Sequence, residues 1–435
     1  MTSTTEPKAE SRKGFTDLAW WVAVIGLILL TQLRMQFILY ILRETPLHVI
    51  FDPAVLEKDS LTVLTLVTPI RGMILLYSLI VLSYPIVQSL QQSDLIVNSR
   101  ITKKHILEAI LLFFVLCIIF TPGKIDGLAQ EYANTSLVLF TKTATVHYNR
   151  RFLMPALANI LFMRGDFFFL IFSFSCTFIL IFILRLWFAN NQIQISFWQM
   201  ISLGTVSFIY FQIEDPGYPD VLVSIFILLA FMPGMNTRSK LSLFVLALAS
   251  HEASLIIWFA FALTLFDTKG WTQFLIISSI YVFLLLTLNH GLSGVLETRT
   301  FAGKSNLELV IENPIQELIG IFFSLKGLWI IIISAVVYLL SQKRIQETFQ
   351  IVSILATGVV LTFMGVDTSR LYGWTFMALL ISWKILNQVE QNWKKMISIA
   401  LAMNILIPSV DVYLYTVPSV VPGIYQYIIN TLFGS

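Results

Sequence analysis

The stretch FFFLIFSFSCTFILIFILRL, residues 167–186, decides the fold class of this protein. It holds a single charged residue, Arg185, at its C-terminal end. An α-helix needs roughly 20 apolar residues to cross the hydrocarbon core of a bilayer. The stretch therefore predicts a transmembrane helix.

The rest of the chain has the same character. Of its 435 residues, 57% are hydrophobic and 12% are charged, whereas a soluble domain carries about 25% charged residues. We therefore predict an integral, multi-pass membrane protein whose fold is an all-α transmembrane bundle of about 11–13 helices. The apolar runs are 18–42, 72–90, 106–121, 167–186, 197–213, 219–232, 241–250, 253–266, 272–289, 320–340, 349–364, 371–385 and 396–410.

Composition also argues against several functions. The formal charge of +3 is too small for a protein that binds polyanions, so we expect no nucleic-acid partner. Cys117 and Cys176 lie in apolar runs and indicate small buried side chains rather than a disulfide or metal site. The chain contains no P-loop, GxGxxG, HExxH or paired CxxC motif, so no metal ligand is assigned.

The distribution of Lys and Arg predicts the orientation in the membrane. Basic residues concentrate in cytoplasmic loops, which puts the N-terminus inside and the C-terminus outside. The outer loops are then 43–71, 122–166, 214–219, 291–319 and 367–370. The basic residues that assign the other loops to the cytoplasmic side are Lys8, Arg12, Lys13, Arg100, Lys103, Lys104, Arg238, Lys240, Lys269, Lys343, Arg344, Lys394 and Lys395.

This assignment of loops to the two sides of the membrane requires residues 241–266 to form a hairpin of two short helices, with His251 and Glu252 at its tip. The rival is one continuous helix, which would put both residues near the bilayer centre and reverse the later loops. We favour the hairpin. We also expect 250–253 to be accessible from the outer face, so that a cysteine at Ser250 reacts with an impermeant maleimide.

Ionisable side chains at membrane segments are costly and are therefore functional candidates. The candidates chosen here come from different segments but share the predicted outer side. Two adjacent arginines there oppose the positive-inside bias and indicate anion binding. Asp367 and Arg370 have the spacing of a simple intrahelical ion pair, which stays an alternative. The candidates are Asp126, Glu131, His147, Arg150, Arg151, Glu214, Asp215, Asp220, His251, Glu252, Glu297, Arg299, Asp367 and Arg370.

Such a set suits a substrate with a phosphate and a hydroxyl group. Arginine forks hold phosphate oxygens, and a carboxylate removes a proton. Lipid-phosphate sugar donors have this chemistry.

The order of these features resembles the type C (GT-C) membrane glycosyltransferases. Four segments carry the resemblance: the run 106–121 followed by Asp126, the Arg-x-x-x-Pro stretch in YNRRFLMPALANIL (148–161), SHEAS (250–254) and VDTSRLYGWTF (366–376). The resemblance implies a core at 106–416, preceded by a tail and two-helix extension at 1–105 and followed by an outer segment at 417–435.

The resemblance also implies an activity. A polyprenyl-phosphate-linked sugar would be transferred with inversion to a glycan, lipid or protein acceptor at the outer face of a bacterial inner membrane. Asp126 would be the base, with Glu131 in reserve. His147, Arg150, Arg151, Asp215, His251, Glu252, Arg299, Asp367 and Arg370 would bind substrate.

The chain departs from the family pattern because Asp126 stands alone instead of in an acidic pair. This leaves open a divalent metal cofactor, and also Asp52 or Asp59 as the base. Two other functions stay open. A polysaccharide polymerase or ligase would use Arg150, Arg151 and Arg299 without a catalytic carboxylate. A multi-pass transporter would need no sugar donor.

Overall fold

The computed structural model describes residues 7–32, 60–92, 103–125, 127–137, 139, 151–287, 300–301, 304–363, 365, 367–389, 391–414 and 417–433. Over these residues the protein is an all-α bundle with two short antiparallel strand pairs, as predicted. The strands are β1 (Thr300–Phe301), β2 (Lys304–Ser305), β3 (Val410–Asp411) and β4 (Ser419–Val420), paired β1 with β2 and β3 with β4.

The α-helices follow one another along the whole described chain. They are α1 (Pro7–Gln32), α2 (Ser60–Gln92), α3 (Lys103–Ile119), α4 (Gly127–Leu137), α5 (Leu153–Ile160), α6 (Gly165–Asn190), α7 (Phe197–Gly204), α8 (Ser207–Glu214), α9 (Asp220–Ala230), α10 (Thr237–Ser250), α11 (Ser254–Leu265), α12 (Thr268–Thr287), α13 (Asn306–Glu312), α14 (Pro314–Leu325), α15 (Trp329–Ser341), α16 (Ile345–Thr362), α17 (Thr368–Gly373), α18 (Phe376–Asn387), α19 (Gln391–Leu406) and α20 (Ile424–Phe433).

The bundle has the surface of a membrane protein. Within the described residues, five helical segments are long and apolar enough to cross a bilayer: Pro69–Gln91, Gly165–Asn190, Thr268–Thr287, Pro314–Ser341 and Ile345–Thr362. Large apolar side chains such as Phe168, Phe283 and Ile333 lie exposed on these helices. Exposed apolar surface of this extent indicates contact with lipid.

The predicted hairpin at 241–266 is confirmed. Helix α10 ends at Ser250 and α11 begins at Ser254. The start of α10 lies next to the end of α11, since the Lys240 Nζ donates a hydrogen bond of 3.1 Å to the Leu265 carbonyl. The alternative of one continuous helix is wrong.

The expected accessibility of the hairpin tip is also wrong. Ser250 is fully buried, and its hydroxyl donates to the Leu246 carbonyl at 2.9 Å. His251 and Glu252 are buried too, because the tip packs beneath other segments instead of projecting from the bundle.

Three predicted single runs are interrupted. The run 197–213 divides into α7 and α8 at Thr205, and the run 320–340 divides at Lys326, whose φ is +49°. The run 371–385 starts in the short helix α17 before α18. A further break falls between α13 and α14, before Pro314, since proline has no N–H for the preceding helix.

Basic residues of separate helices gather at one end of the bundle, here called the basic end. Arg238 forms an ion pair there with Asp17, and Arg185 forms one with Glu108 at 2.9 Å. The hydroxyl groups of Ser89 and Ser239 share a 2.7 Å hydrogen bond at the same end. The C-terminus of α8, the N-terminus of α9 and the α10–α11 hairpin tip lie at the opposite end. Of the basic residues that predict the orientation, Arg238 lies at the basic end, while the direction of the bundle across a membrane stays a prediction.

Candidate functional site

A buried cluster of charged and aromatic side chains lies at the end opposite the basic end. We call it the arginine cluster. Its members come from five separate stretches of the chain, at 132, 151, 211–220, 251–252 and 367–374. It consists of Tyr132, Arg151, Phe211, Tyr218, Asp220, His251, Glu252, Asp367, Arg370 and Trp374.

The first half of the cluster is a bidentate pair between Arg151 and Glu252. Arg151 Nε donates to Glu252 Oε2 at 2.8 Å, and Nη2 donates to Oε1 at 2.7 Å. The third guanidinium nitrogen, Nη1, lies 3.4 Å from the Tyr132 hydroxyl, to which it donates. The Glu252 side chain is 5% exposed, so this carboxylate is held almost entirely by protein. A phosphate fits the same planar fork as a carboxylate does.

His251 joins this pair to the late helices. It caps the C-terminus of α10, and its Nδ1 accepts a 3.1 Å hydrogen bond from the Ala253 N–H. Nδ1 therefore carries no proton, and the neutral ring bears its proton on Nε2. The ring meets Trp374 edge-on, with centroids 5.1 Å apart.

The second half of the cluster surrounds Arg370. Its Nε lies 3.8 Å from Asp220 Oδ1 and 3.6 Å from Asp367 Oδ2, and its guanidinium is 5.0 Å from the Phe211 ring and 4.9 Å from the Tyr218 ring. Asp367 also caps α17 by accepting from the Arg370 N–H at 3.1 Å. The intrahelical pair expected from the sequence thus forms, but Asp220 extends it to a second segment.

Aromatic rings connect the two halves. The Tyr132 and Tyr218 rings lie 6.2 Å apart, and each also contacts one of the two arginines. Arg151 and Arg370, which are 219 positions apart in the sequence (370 − 151), therefore belong to one site.

Carboxyl groups crowd the edge of the cluster. Asp411 Oδ1 accepts a 3.1 Å hydrogen bond from the Tyr210 hydroxyl, and the Asp411 side chain also hydrogen-bonds to Glu214. Burial, together with the neighbouring Asp411 carboxylate, raises the pKa of Glu214 to about 10, and burial raises the pKa of Asp411. This pair therefore holds a proton at neutral pH. Burial also raises the pKa of Asp367 to about 7, against the opposing charge of Arg370.

The cluster contains five of the predicted substrate-binding residues, namely Arg151, His251, Glu252, Asp367 and Arg370. Asp215 follows α8 and interacts electrostatically with Asp367. Glu131 is partly exposed and precedes Tyr132 in α4. The remaining predicted residues, Asp126, His147, Arg150 and Arg299, lie outside the described residues, as do Asp52, Asp59 and Glu297.

The described neighbours of position 126 lie beside the cluster. The Gly123 N–H donates to the Ile213 carbonyl at 2.9 Å, and a Cβ on Gly217 would come within 2.9 Å of the Ile125 side chain. The segment before position 126 therefore runs along the loop that joins Glu214 to Asp220.

Sequence reasoning named Asp220 without giving it a role, and it missed Asp411, Tyr210 and Lys326. Asp220 is fully buried, which its place directly after Pro219, at the start of an apolar run, does not reveal. A signal for Lys326 was present, because it is a single cation inside an apolar run. No group of three metal-binding side chains suited to a metal ion occurs among the described residues.

Comparisons of the chain with protein-family models, with curated proteins and with solved structures found no match.

Proposed function

We propose that this protein is a membrane glycosyltransferase that moves a sugar from a polyprenyl-phosphate donor to an acceptor, and that the arginine cluster binds the donor phosphate. The supporting observation is the joining of Arg151, His251 and Arg370 in one buried site at one end of an apolar bundle. A buried site with two guanidinium groups offers strong, charge-assisted hydrogen bonds to a phosphate.

Donor binding then proceeds by exchange of one anion for another at Arg151. Glu252 occupies the two parallel N–H groups of the fork, at 2.8 and 2.7 Å. A donor phosphate takes these two positions, and the Glu252 carboxylate leaves the fork. Glu252 thus keeps the arginine oriented until the donor arrives, and the exchange leaves no guanidinium unpaired.

In the transfer step, a carboxylate accepts the proton of the acceptor hydroxyl. The acceptor oxygen attacks the anomeric carbon from the face opposite the phosphate, and the bond from that carbon to the phosphate oxygen breaks with its electron pair on the phosphate. The polyprenyl phosphate departs as an anion held by arginine. Asp126 is the proposed base, with Glu131 in reserve, and the positions of Gly123 and Ile125 support Asp126.

The test is sugar transfer by the purified protein in proteoliposomes. A panel of polyprenyl-phosphate sugars, labelled in the sugar, is incubated with candidate acceptors, and release of polyprenyl phosphate is measured. Asp126→Asn should lower turnover ~10²–10⁴-fold, because it removes the base and retains the size of the side chain. The matched control is the neutral pair Arg185→Gln with Glu108→Gln, which removes an ion pair at the basic end.

The two enzyme hypotheses differ in this assay. Loss of activity in Arg151→Gln but not in Asp126→Asn would support the arginine-based polymerase or ligase. Transfer that is unchanged in both variants would refute the proposed site.

A transporter is the second candidate, and the discontinuous helices favour it. Helices broken near mid-span and turned toward polar groups often form transport sites. Here the break between α7 and α8 lies next to the break at Lys326, since the Lys326 Nζ is 2.9 Å from Thr205 Oγ1. Uptake of labelled sugars or amino acids into proteoliposomes without any lipid-linked donor would support this function.

A further inference from the structure

A second polar site lies inside the bundle, around Lys326. This lysine is the thirteenth residue of the 28-residue apolar segment Pro314–Ser341, and its side chain is fully buried. An ion in the middle of such a segment is costly unless it has partners. Among the described residues, no carboxylate forms an ion pair with Lys326.

The partners of Lys326 are three neutral oxygens. Its Nζ donates to Thr205 Oγ1 at 2.9 Å, to the Ile407 carbonyl at 3.1 Å and to Ser409 Oγ at 3.2 Å. An ammonium group has three protons to donate. Each proton of Lys326 therefore has one acceptor.

These oxygens can act toward Nζ as acceptors alone. The Thr205 hydroxyl donates its own proton to the Ser202 carbonyl at 2.9 Å, and the Ser409 hydroxyl donates to the Thr205 carbonyl at 2.9 Å. Thr205 Oγ1 also accepts from the Asn404 side-chain amide at 3.0 Å. The oxygens of Thr205, Ile407 and Ser409 therefore form a cage whose lone pairs point toward Nζ, which suits a cation.

Two helix ends supply the charge that balances the ammonium. Thr205 is the C-cap of α7, and Ile407 follows the last residue of α19, with its N–H still bonded to the Met403 carbonyl. A helix C-terminus carries roughly half a negative charge. Two such ends sum to about one negative charge, and the Tyr425 ring adds its face 5.6 Å from Nζ.

We propose that the Lys326 side chain acts as a tethered monovalent cation, and that the cage of Thr205, Ile407 and Ser409 is a monovalent-cation site that binds ammonium or potassium once the tethered ammonium is removed. Carbonyl and hydroxyl oxygens at helix C-termini are the ligands that bind such ions in broken membrane helices. The inference is independent of the proposed glycosyl transfer, since it concerns a different set of side chains.

The experiment uses the full-length protein in nanodiscs and the variants Lys326→Ala and Lys326→Met. Alanine opens the cage, whereas methionine fills much of the space without a charge. Thermal unfolding is measured in graded NH4Cl or KCl, with choline chloride holding the ionic strength constant, and binding of radioactive Rb⁺ is measured directly.

We expect the alanine variant to unfold at a lower temperature in choline and to recover by several degrees, saturably, in ammonium or potassium. It should bind one Rb⁺ per chain, while the native protein and the methionine variant bind none and show no salt response. Where the alanine variant does not fold in choline, Lys326→Ser is tested in the same salts. Recovery in ammonium supports the proposal, and failure of both variants to recover or to bind Rb⁺ overturns it.

Discussion

The Arg151–Glu252 pair should be the most strongly coupled pair of charges in the arginine cluster. Its two hydrogen bonds, at 2.8 and 2.7 Å, have the geometry of an arginine fork, and the two side chains are 16% and 5% exposed. Removing one partner of such a pair leaves a buried charge without its counter-charge. Arg151→Gln or Glu252→Gln should therefore each lower the free energy of unfolding by ~3–5 kcal/mol.

The double variant should lose no more stability than either single variant, because two neutral amides leave no buried charge behind. The coupling energy of the double-mutant cycle is then about as large as one single substitution, ~3–5 kcal/mol. The matched cycle uses Arg185 and Glu108, which form a single 2.9 Å contact and whose carboxylate is 26% exposed. The coupling energy of this pair should therefore be ~1 kcal/mol or less.

Reversible unfolding in mixed SDS micelles, followed by tryptophan fluorescence, gives the four free energies of each cycle. Single-variant costs that add to the cost of the double variant within ~0.5 kcal/mol would refute this account of the pair. A coupling as weak as that of the Arg185 cycle would refute it as well.

Three further predictions concern Asp367, the membrane topology and Gly123. Burial raises the pKa of Asp367 to about 7. The protonated carboxyl therefore stabilises the fold fully at low pH, and this stabilisation is lost as the pH rises through 7. Asp367→Asn should flatten the fall in melting temperature that the native protein shows between pH 5 and 8. Cysteine at the exposed Lys124 should react with an impermeant maleimide in intact cells, whereas cysteine at the exposed Lys269 should react after permeabilisation, and the reverse pattern would invert the topology. Gly123→Ala should cost ~3 kcal/mol or more of unfolding free energy, because its Cβ would lie 1.6 Å from the backbone carbonyl of Glu214, and an unchanged melting temperature would contradict this packing.

The fold class and the hairpin could be predicted from the sequence because they depend on local properties. Apolar run length specifies membrane helices, and the polar pair His251–Glu252 between two apolar runs marks the turn. The break at Lys326 could not be predicted in the same way, since the run around it has the length of one continuous helix. It depends on Thr205 and Ser409, which are distant in sequence and reach the lysine only in the folded bundle.

In the candidate site, too, local features could be predicted and contacts between distant residues could not. Charge beside a membrane segment was enough to predict Arg151, His251, Glu252 and Arg370 as members of a site. Pairing could not be predicted, because Glu252 is 101 positions from Arg151 and Asp220 is 150 positions from Arg370 (370 − 220). Accessibility also failed as a prediction, since the hairpin tip is covered by segments that its own sequence does not specify.

The central claim, that the arginine cluster binds a lipid-linked phosphate, has one most direct test. Mass spectrometry would identify the lipids that co-purify with the native protein, with the double variant Arg151→Gln/Glu252→Gln and with the control Arg185→Gln/Glu108→Gln. We predict a polyprenyl-phosphate sugar with the native and control proteins and its loss, by at least about tenfold, from the cluster variant, since each charge-assisted hydrogen bond contributes ~1.5–3 kcal/mol. Equal amounts of the lipid in all three preparations would contradict the claim.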